Sequence, residues 1–440
     1  MEIDKVTYND LSVFQAGEDQ GSIFNTLNFT RTNGGREQLM KLFYEPFGQA
    51  TQIHDTQNIL KLLIREQQHW PEDISNGTVM VMEKFYATST DPISPHPSAI
   101  SALGYKVFHN ADYSLIHFSI GHFADFFRGF RKLIGRFLND DAPALLQVKL
   151  QRAAHLMNTH HPLHELAERE PGKKFSPKET LRYAYFLKGR FKHECFELMD
   201  MYSLLDAWYS MAMATSKLNL CFPEITDGDT PFIEAQQLFH LMLPTPVAYD
   251  VELKKEKNFL FLTGANMAGK STYIKAVGIA VFLAHLGMGV PAKKMQLSLF
   301  NGLLSNIQVV DNISKGESYF FNEVQRIRNT VLKISNGKKW LVLIDELFKG
   351  TNVQDAMKCS DAVIRGLIKI SNAIFILSTH LYEIGEGLKP YPNIVFRYFE
   401  TFAKDDELEF SYVLKEGISN DRLGYLILKR EGVVNLLERL

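Results

Sequence analysis

The sequence predicts an α + α/β protein: an all-α part over residues 1–235, then an α/β part over residues 236–440. Three observations predict it. Up to about residue 225 the apolar residues recur at helical spacing, with at least one long helix. From about residue 235 short apolar runs alternate with helical stretches, as in a sheet of parallel strands joined by crossover helices. Third, Gly264-Ala265-Asn266-Met267-Ala268-Gly269-Lys270-Ser271 stands between a short apolar run, residues 259–263, and a proline-free helical stretch, residues 272–286. Glycine, four residues, then Gly-Lys-Ser between a strand and a helix is the pattern of a phosphate-binding loop.

A chain of 440 residues exceeds what one core supports, so two or three domains are expected. Hydrophobic content of 45% and charged content of 22% are those of an ordinary globular protein. A net charge of −2 gives no global pull toward nucleic acid or anionic lipid, so such binding would need local patches. Cys195, Cys221 and Cys359 lie too far apart for metal-ligand spacing and read as free thiols of a reducing cytosol. The polar start Met1-Glu2-Ile3-Asp4-Lys5 carries no signal-peptide pattern. The longest apolar run, residues 276–290, is interrupted by His285 and is too short to span a bilayer. A cytoplasmic protein with no membrane partner is expected.

In chain order, residues 10–14 read as a short strand or extended lead-in. Gly34 and Gly35 read as a tight turn before a helix over residues 36–44, which ends ahead of Pro46. Residues 55–68 form an amphipathic pattern with Asp55 as a candidate N-cap. Residues 70–110 read as loops with short helices, and 112–160 as helices broken at Asn139-Asp140-Asp141-Ala142-Pro143. Pro177 fits the first turn of a helix, and from there to Phe222-Pro223 only Gly189 interrupts. The stripe of Leu198, Met201, Tyr202, Leu205, Trp208, Tyr209 and Ala212 reads as helix packing. Two basic clusters stand out: Arg128, Arg131, Lys132 and Arg136, and Lys173, Lys174, Lys178, Arg182, Lys188, Arg190 and Lys192. Each reads either as a solvated helix face or as a surface that neutralises phosphates.

The loop has a definite chemistry. Its glycines let successive N–H groups curl toward phosphate oxygens, and the helix N-terminus adds partial positive charge. Gly264, Ala265, Asn266, Met267, Ala268, Gly269, Lys270, Ser271 and Thr272 would cradle the phosphates of ATP, with Lys270 at the β- and γ-phosphates. The Ser271 hydroxyl would ligate Mg²⁺. A second apolar run, Trp340-Leu341-Val342-Leu343-Ile344, ends in Asp345-Glu346. Asp345 would hold Mg²⁺ and Glu346 would activate or orient the attacking water. A third run, residues 373–377, ends in Ser378-Thr379-His380, and His380 would lie on the ligand face of the sheet. Ser318 is a candidate N-cap for a helix running toward Leu332, with an anion site at its start.

Together these segments resemble the MutS family of mismatch-repair ATPases, part of the ABC-type superfamily. The Asn266-Met267 pair in the phosphate loop carries the resemblance, as do Ser318-Tyr319-Phe320-Phe321-Asn322-Glu323-Val324, Asp345-Glu346-Leu347-Phe348-Lys349-Gly350-Thr351 and Ser378-Thr379-His380. Gly289-Val290-Pro291-Ala292 and Asp311-Asn312 fall where that family has similar segments. The likeness is strong over about 245–430 and weaker in residues 24–47 and 203–208, which are similar to the family's helical core and lever. It implies a homodimeric ATPase in which Ser318 of one subunit reaches the partner's nucleotide, and a DNA ligand. The helical core begins within the first few dozen residues and the stretch over about 85–195 would be a reduced clamp. Domains that read mispairs are therefore not expected, and duplex or branched DNA structure is the expected ligand. Pro246-Val247-Ala248-Tyr249-Asp250 stands where the family has an asparagine contact to adenine, so no residue is assigned to the base. The alternative is an ATPase whose helical part binds a protein. A transporter subunit would need a Leu-Ser-Gly-Gly-type signature, and a chromosome-maintenance ATPase would need long heptads between the two anchors; neither is present.

Overall fold

A computed structural model of the protein describes residues 1–14, 21–308, 319–404, 407–419 and 433–437. The protein is mixed α/β and forms two compact units. One comprises Leu27–Tyr44 and Asp55–Ser216, the other Met1–Thr26, Glu45–His54 and Lys217–Leu440. Where the sequence suggests one cut near residue 235, the chain thus enters the helical unit twice.

The helical unit is built around the Asn110–Phe137 helix, which buries Phe123, Phe126, Phe127 and Phe130. Phe126 meets Tyr202 edge-on at 5.9 Å, and Tyr202 lies on the Lys192–Lys217 helix. Trp70 stacks on Tyr209 at 4.2 Å. The stripe read as packing is therefore the seam of this core. Ser75, Ser98 and Ser176 each close a capping box, and Pro177 opens the Pro177–Lys188 helix that stops at Gly189.

Three local expectations are overturned. Gly34 and Gly35 are not a turn but the first turn of the Asn33–Tyr44 helix. A Cβ on Gly35 would lie 2.1 Å from Asp206 Oδ2, so glycine is there for close approach. Asp55 is not an N-cap, because its helix starts at Ala50 and Ile53 N–H already donates to Gln49 O. Residues 10–14 are not a strand; Lys5–Asp10 is a helix capped by Asp4.

In the α/β unit the strands are β1 (Glu2–Ile3), β2 (Glu224–Thr226), β3 (Phe232–Leu238), β4 (Tyr249–Lys254), β5 (Phe259–Thr263), β6 (Lys294–Ser298), β7 (Gly302–Asn306), β8 (Trp340–Asp345), β9 (Ala373–Ser378), β10 (Ile394–Lys404) and β11 (Glu407–Glu416). The larger sheet runs β1-β7-β8-β9-β5-β10-β11 and the smaller β2-β6-β3-β4. In the larger sheet neighbours are parallel except for the antiparallel β10–β11 pair. The sheet is therefore mixed, not wholly parallel. Strands β5, β8 and β9 are buried along their whole length, which is why they read as unbroken apolar runs.

The amino terminus belongs to this sheet. Asp10 accepts from Ser305 Oγ at 2.5 Å and from the N–H groups of Ile307 and Gln308 at 3.0 Å. Asp4 pairs with Arg326 at 2.5 Å, and Arg326 sits on the Tyr319–Ile334 helix. The end of β7 and that helix are thus both tied to the first ten residues.

Candidate functional site

Strands β8, β9 and β5 lie side by side and end at one edge, with Asp345 opposite Ser378 and Ser378 opposite Leu262. The three segments singled out in the sequence therefore emerge together, at the carboxyl ends of parallel strands where α/β sheets bind ligands.

After β5 the backbone takes left-handed φ at Gly264 (139°), Met267 (69°) and Gly269 (107°). A Cβ on Gly264 would meet the Phe399 carbonyl oxygen at 3.1 Å. The Lys270–His285 helix starts from Gly269, and its first N–H groups have no partner within the helix. Ala265 and Ala268 are buried, Asn266 and Met267 are exposed, and Thr272 is half-buried in the first helical turn. Lys270 Nζ donates to Gly264 O at 2.8 Å and Ala265 O at 2.9 Å. Burial holds its pKa below the usual lysine value, against the pull of Glu346 and Asp345. A buried ammonium held by loop carbonyls can exchange them for phosphate oxygens.

Asp345 accepts from Ser271 Oγ at 2.5 Å through one oxygen and from the Ser378 hydroxyl through the other. A serine hydroxyl and a carboxylate in contact are a hard-oxygen donor pair, and they fit Mg²⁺. Glu346 lies just past the strand with φ of 62°, and Phe348 follows at 59°. Non-glycine residues rarely hold this conformation, and it turns the Glu346 side chain out of the strand's alternation. His380 Nδ1 lies 3.6 Å from Glu346 Oε1 and Lys349 Nζ 3.3 Å from Oε2. The imidazole chiefly, with the Lys349 and Lys270 charges, holds the Glu346 carboxyl down to about 2.

Sequence reading missed several contributors. Ser378 stands out in the sequence only as part of Ser378-Thr379-His380, yet its hydroxyl orients Asp345. Lys349 stands at i+3 from Glu346, a spacing that could have signalled the pair. Glu323 is buried and accepts from the N–H groups of Lys349 at 3.1 Å and Gly350 at 3.2 Å. A Cβ on Gly350 would meet Tyr319 Cδ1 at 2.7 Å, so the glycine lets the Tyr319–Ile334 helix lock this turn. Ser318 and Asp311-Asn312 lie outside the described residues. Next to the loop opens a cavity of about 450 Å³ lined also by His240, Leu243, Thr245, Val247, Tyr249 and Tyr412.

The two basic clusters differ. Arg128 pairs with Asp125 at 2.8 Å, Arg131 with Glu168 at 2.9 Å and Lys132 with Asp73 at 2.7 Å, and Arg136 pairs with Glu66. Those charges are met within the unit. Lys173, Lys174, Lys178, Arg190 and Lys192 are exposed, and among the described residues none of them pairs with a carboxylate.

Among the described residues no helix is long and apolar enough to cross a membrane. The family model of MutS domain V matches residues 260–435. The chain is 30% identical over 241 residues to MutS protein homolog 4 of Homo sapiens, covering 52% of this chain and 25% of that protein. It is 30% identical over 218 residues to the DNA mismatch repair protein MSH3 of Scheffersomyces stipitis, covering 48% and 21%. It is 29% identical over 213 residues to the DNA mismatch repair protein MutS of Aquifex pyrophilus, covering 48% and 25%. The chain thus spans about a quarter of the length of these relatives.

Proposed function

The chain belongs to the MutS family, and from that premise we propose that it is a Mg²⁺-dependent ATPase working at a dimer interface. One observation carries the reading: Ser271 and Asp345 touch at 2.5 Å beside a buried Lys270, at the edge where Glu346 and His380 also meet. Lys270 with the amides of residues 264–272 would hold the triphosphate, and Ser271 with Asp345 would hold the metal. Mg²⁺, when bound, would neutralise charge on the phosphate oxygens. Glu346, ionised down to about pH 2, is too weak a base to carry a proton at neutral pH. Its oxygens, positioned by His380 and Lys349, would instead orient the attacking water. Ser318 of a second subunit would complete the site.

Replacing Lys270 with alanine removes the buried cation, and nucleotide affinity should fall about a hundredfold in equilibrium binding. Glu346→Gln should keep binding while turnover drops about 10²–10³-fold. Normal turnover in both variants would refute the reading.

The DNA ligand rests on the relatives' names and on the exposed Lys173, Lys174, Lys178, Arg190 and Lys192. Such a patch would grip duplex or branched backbone without reading bases. A second reading, a protein ligand, is favoured by Ile100, Leu103, Val107 and Phe108, exposed along the Ala99–Phe108 helix. Band-shift titration of duplex and branched DNA at rising salt separates the two. Binding that weakens steeply with salt supports DNA, and no shift at low salt supports the protein ligand.

A further inference from the structure

The Tyr319–Ile334 helix buries one stripe, Glu323, Ile327, Thr330 and Ile334. Steps of four, three and four residues keep these side chains on a single helix face. Ile327 and Ile334 join the apolar core, and Thr330 turns its hydroxyl back to Arg326 O at 3.0 Å. Glu323 is different. It is 2% exposed, and among the described residues its carboxylate is met by backbone N–H groups and by no ion-pair partner. A buried carboxylate without a cation is costly unless its oxygens are hydrogen-bonded. Packing alone would be served by an apolar residue, so the acid serves what its oxygens hold.

They hold the turn after β8. Oε1 accepts the Lys349 N–H at 3.1 Å and Oε2 the Gly350 N–H at 3.2 Å. The other end of the turn is fixed by β9, because Glu346 N–H donates to Ser378 O at 2.9 Å. Between these two anchors Glu346 and Phe348 keep φ of 62° and 59°, which non-glycine residues hold only when their surroundings impose it. The Phe320 ring meets the Phe348 ring at 5.7 Å, and a Cβ on Gly350 would lie 2.8 Å from Phe320 N. The first turn of the helix thus presses on residues 348–350, and Glu323 ties them to it. Lys349 Nζ then reaches Glu346 Oε2 at 3.3 Å.

The helix is itself referenced to the sheet. Arg326, one turn further on, donates through Nε to Ser305 O of β7 at 3.2 Å and pairs with Asp4. Strand β7 in turn neighbours β8. The path runs from sheet to helix at Arg326, from helix to turn at Glu323, and from turn to Glu346 at Lys349. The Glu323 link needs two acceptors. A carboxylate supplies both, whereas a glutamine of the same shape supplies one and sets its NH₂ against the remaining N–H.

We propose that Glu323 is a positioning residue for ATP hydrolysis. By fixing the backbone of Lys349 and Gly350 it sets where Lys349 holds the Glu346 carboxylate, so turnover depends on the placement of the Tyr319–Ile334 helix. This rests on the ATPase reading above, in which Glu323 itself touches neither nucleotide nor metal.

The test is steady-state ATP hydrolysis by the full chain with Mg²⁺, beside equilibrium binding of a non-hydrolysable ATP analogue. Glu323→Gln should lower kcat by roughly 10–100-fold, the cost of a misplaced catalytic group. KM and analogue affinity should stay within about threefold of wild type, because the phosphate loop is untouched. Lys349→Met, at a side chain 35% exposed, breaks the next link without disturbing the core and should lower kcat similarly. The two together should cost no more than about twofold beyond the larger single effect, since both act through Glu346. In a Glu346→Gln background, Glu323→Gln should change the residual rate by less than about threefold. Wild-type kcat in either single variant would overturn the proposal while leaving the ATPase reading intact. A parallel loss of analogue affinity, or losses that add in the double variants, would make Glu323 a merely structural residue and overturn it too. Failure of the wild-type chain to bind the analogue would remove the ATPase reading and this role with it.

Discussion

His285 lies fully buried at the end of the helix that follows the phosphate loop. Its Nδ1 donates to Phe47 O at 2.9 Å and its Nε2 accepts the Phe300 N–H at 3.2 Å, so the neutral ring is fully used. Burial lowers its pKa from the ordinary 6.5 to about 4. The unfolded chain takes up a proton near pH 6.5 and the folded chain resists until about pH 4. Stability is therefore expected to fall as pH drops through that window, by about 3 kcal/mol in all, and to flatten below it. Urea midpoints from pH 7 to 4 measure this, and His285→Gln should remove part of the slope, the rest coming from His240, which burial and the Lys275 charge also lower to about 4. Glu346 acts at the opposite sign of charge. Its carboxyl is held near 2, so its contribution is complete above about pH 4.5 and disappears only as pH falls toward 2. The acid limb of turnover above pH 4.5 should consequently not come from this residue, and a pH–rate profile of wild type and His380→Gln checks it.

At the scale of elements, Gly34 and Gly35 mark a close approach between two helices and not a turn. Gly35 faces the Asp206 carboxylate, which accepts from Thr32 N–H at 2.8 Å and Thr32 Oγ1 at 2.7 Å and from Arg31 N–H at 3.0 Å. An alanine there collides with a buried, fully engaged carboxylate, and Gly35→Ala should destabilise the helical unit by about 2–4 kcal/mol in denaturant titration. Loss below 0.5 kcal/mol would mean the two helices can part freely. Local sequence could not distinguish this role from a turn, because Gly-Gly favours turns and Asp206 is distant in the chain. The same limit explains Asp55, a good capping residue that the helix simply includes because it begins five residues earlier.

For the whole molecule, the proposed interface has a measurable signature. Ser318→Ala and Lys270→Ala should each impair turnover on their own, and mixed dimers of the two should regain up to about half of wild-type turnover, because one of the two sites then pairs an intact loop with an intact Ser318. No recovery in the mixture would argue against sharing across subunits. The unbroken apolar runs, the helical patterns, the phosphate loop and the acids after an apolar run were legible because each depends on neighbours in sequence. Residue-by-residue spacing placed the loop, Asp345-Glu346 and Ser378-Thr379-His380 each at the end of an apolar run. It could not order the strands.

The sequence alone marked the strands over residues 259–263, 340–344 and 373–377, the helix after the phosphate loop, and the short motifs that could hold a phosphate and a metal, since local sterics and burial write those into adjacent residues. Only the tertiary structure decided that β8, β9 and β5 are neighbours and that β1 joins the sheet at β7. It also decided that Glu323 holds the turn after Glu346, and that Tyr249 and Tyr412 face one cavity. Each of these joins residues far apart in the chain through strand order, left-handed backbone or close packing, and no pattern within a single segment encodes them.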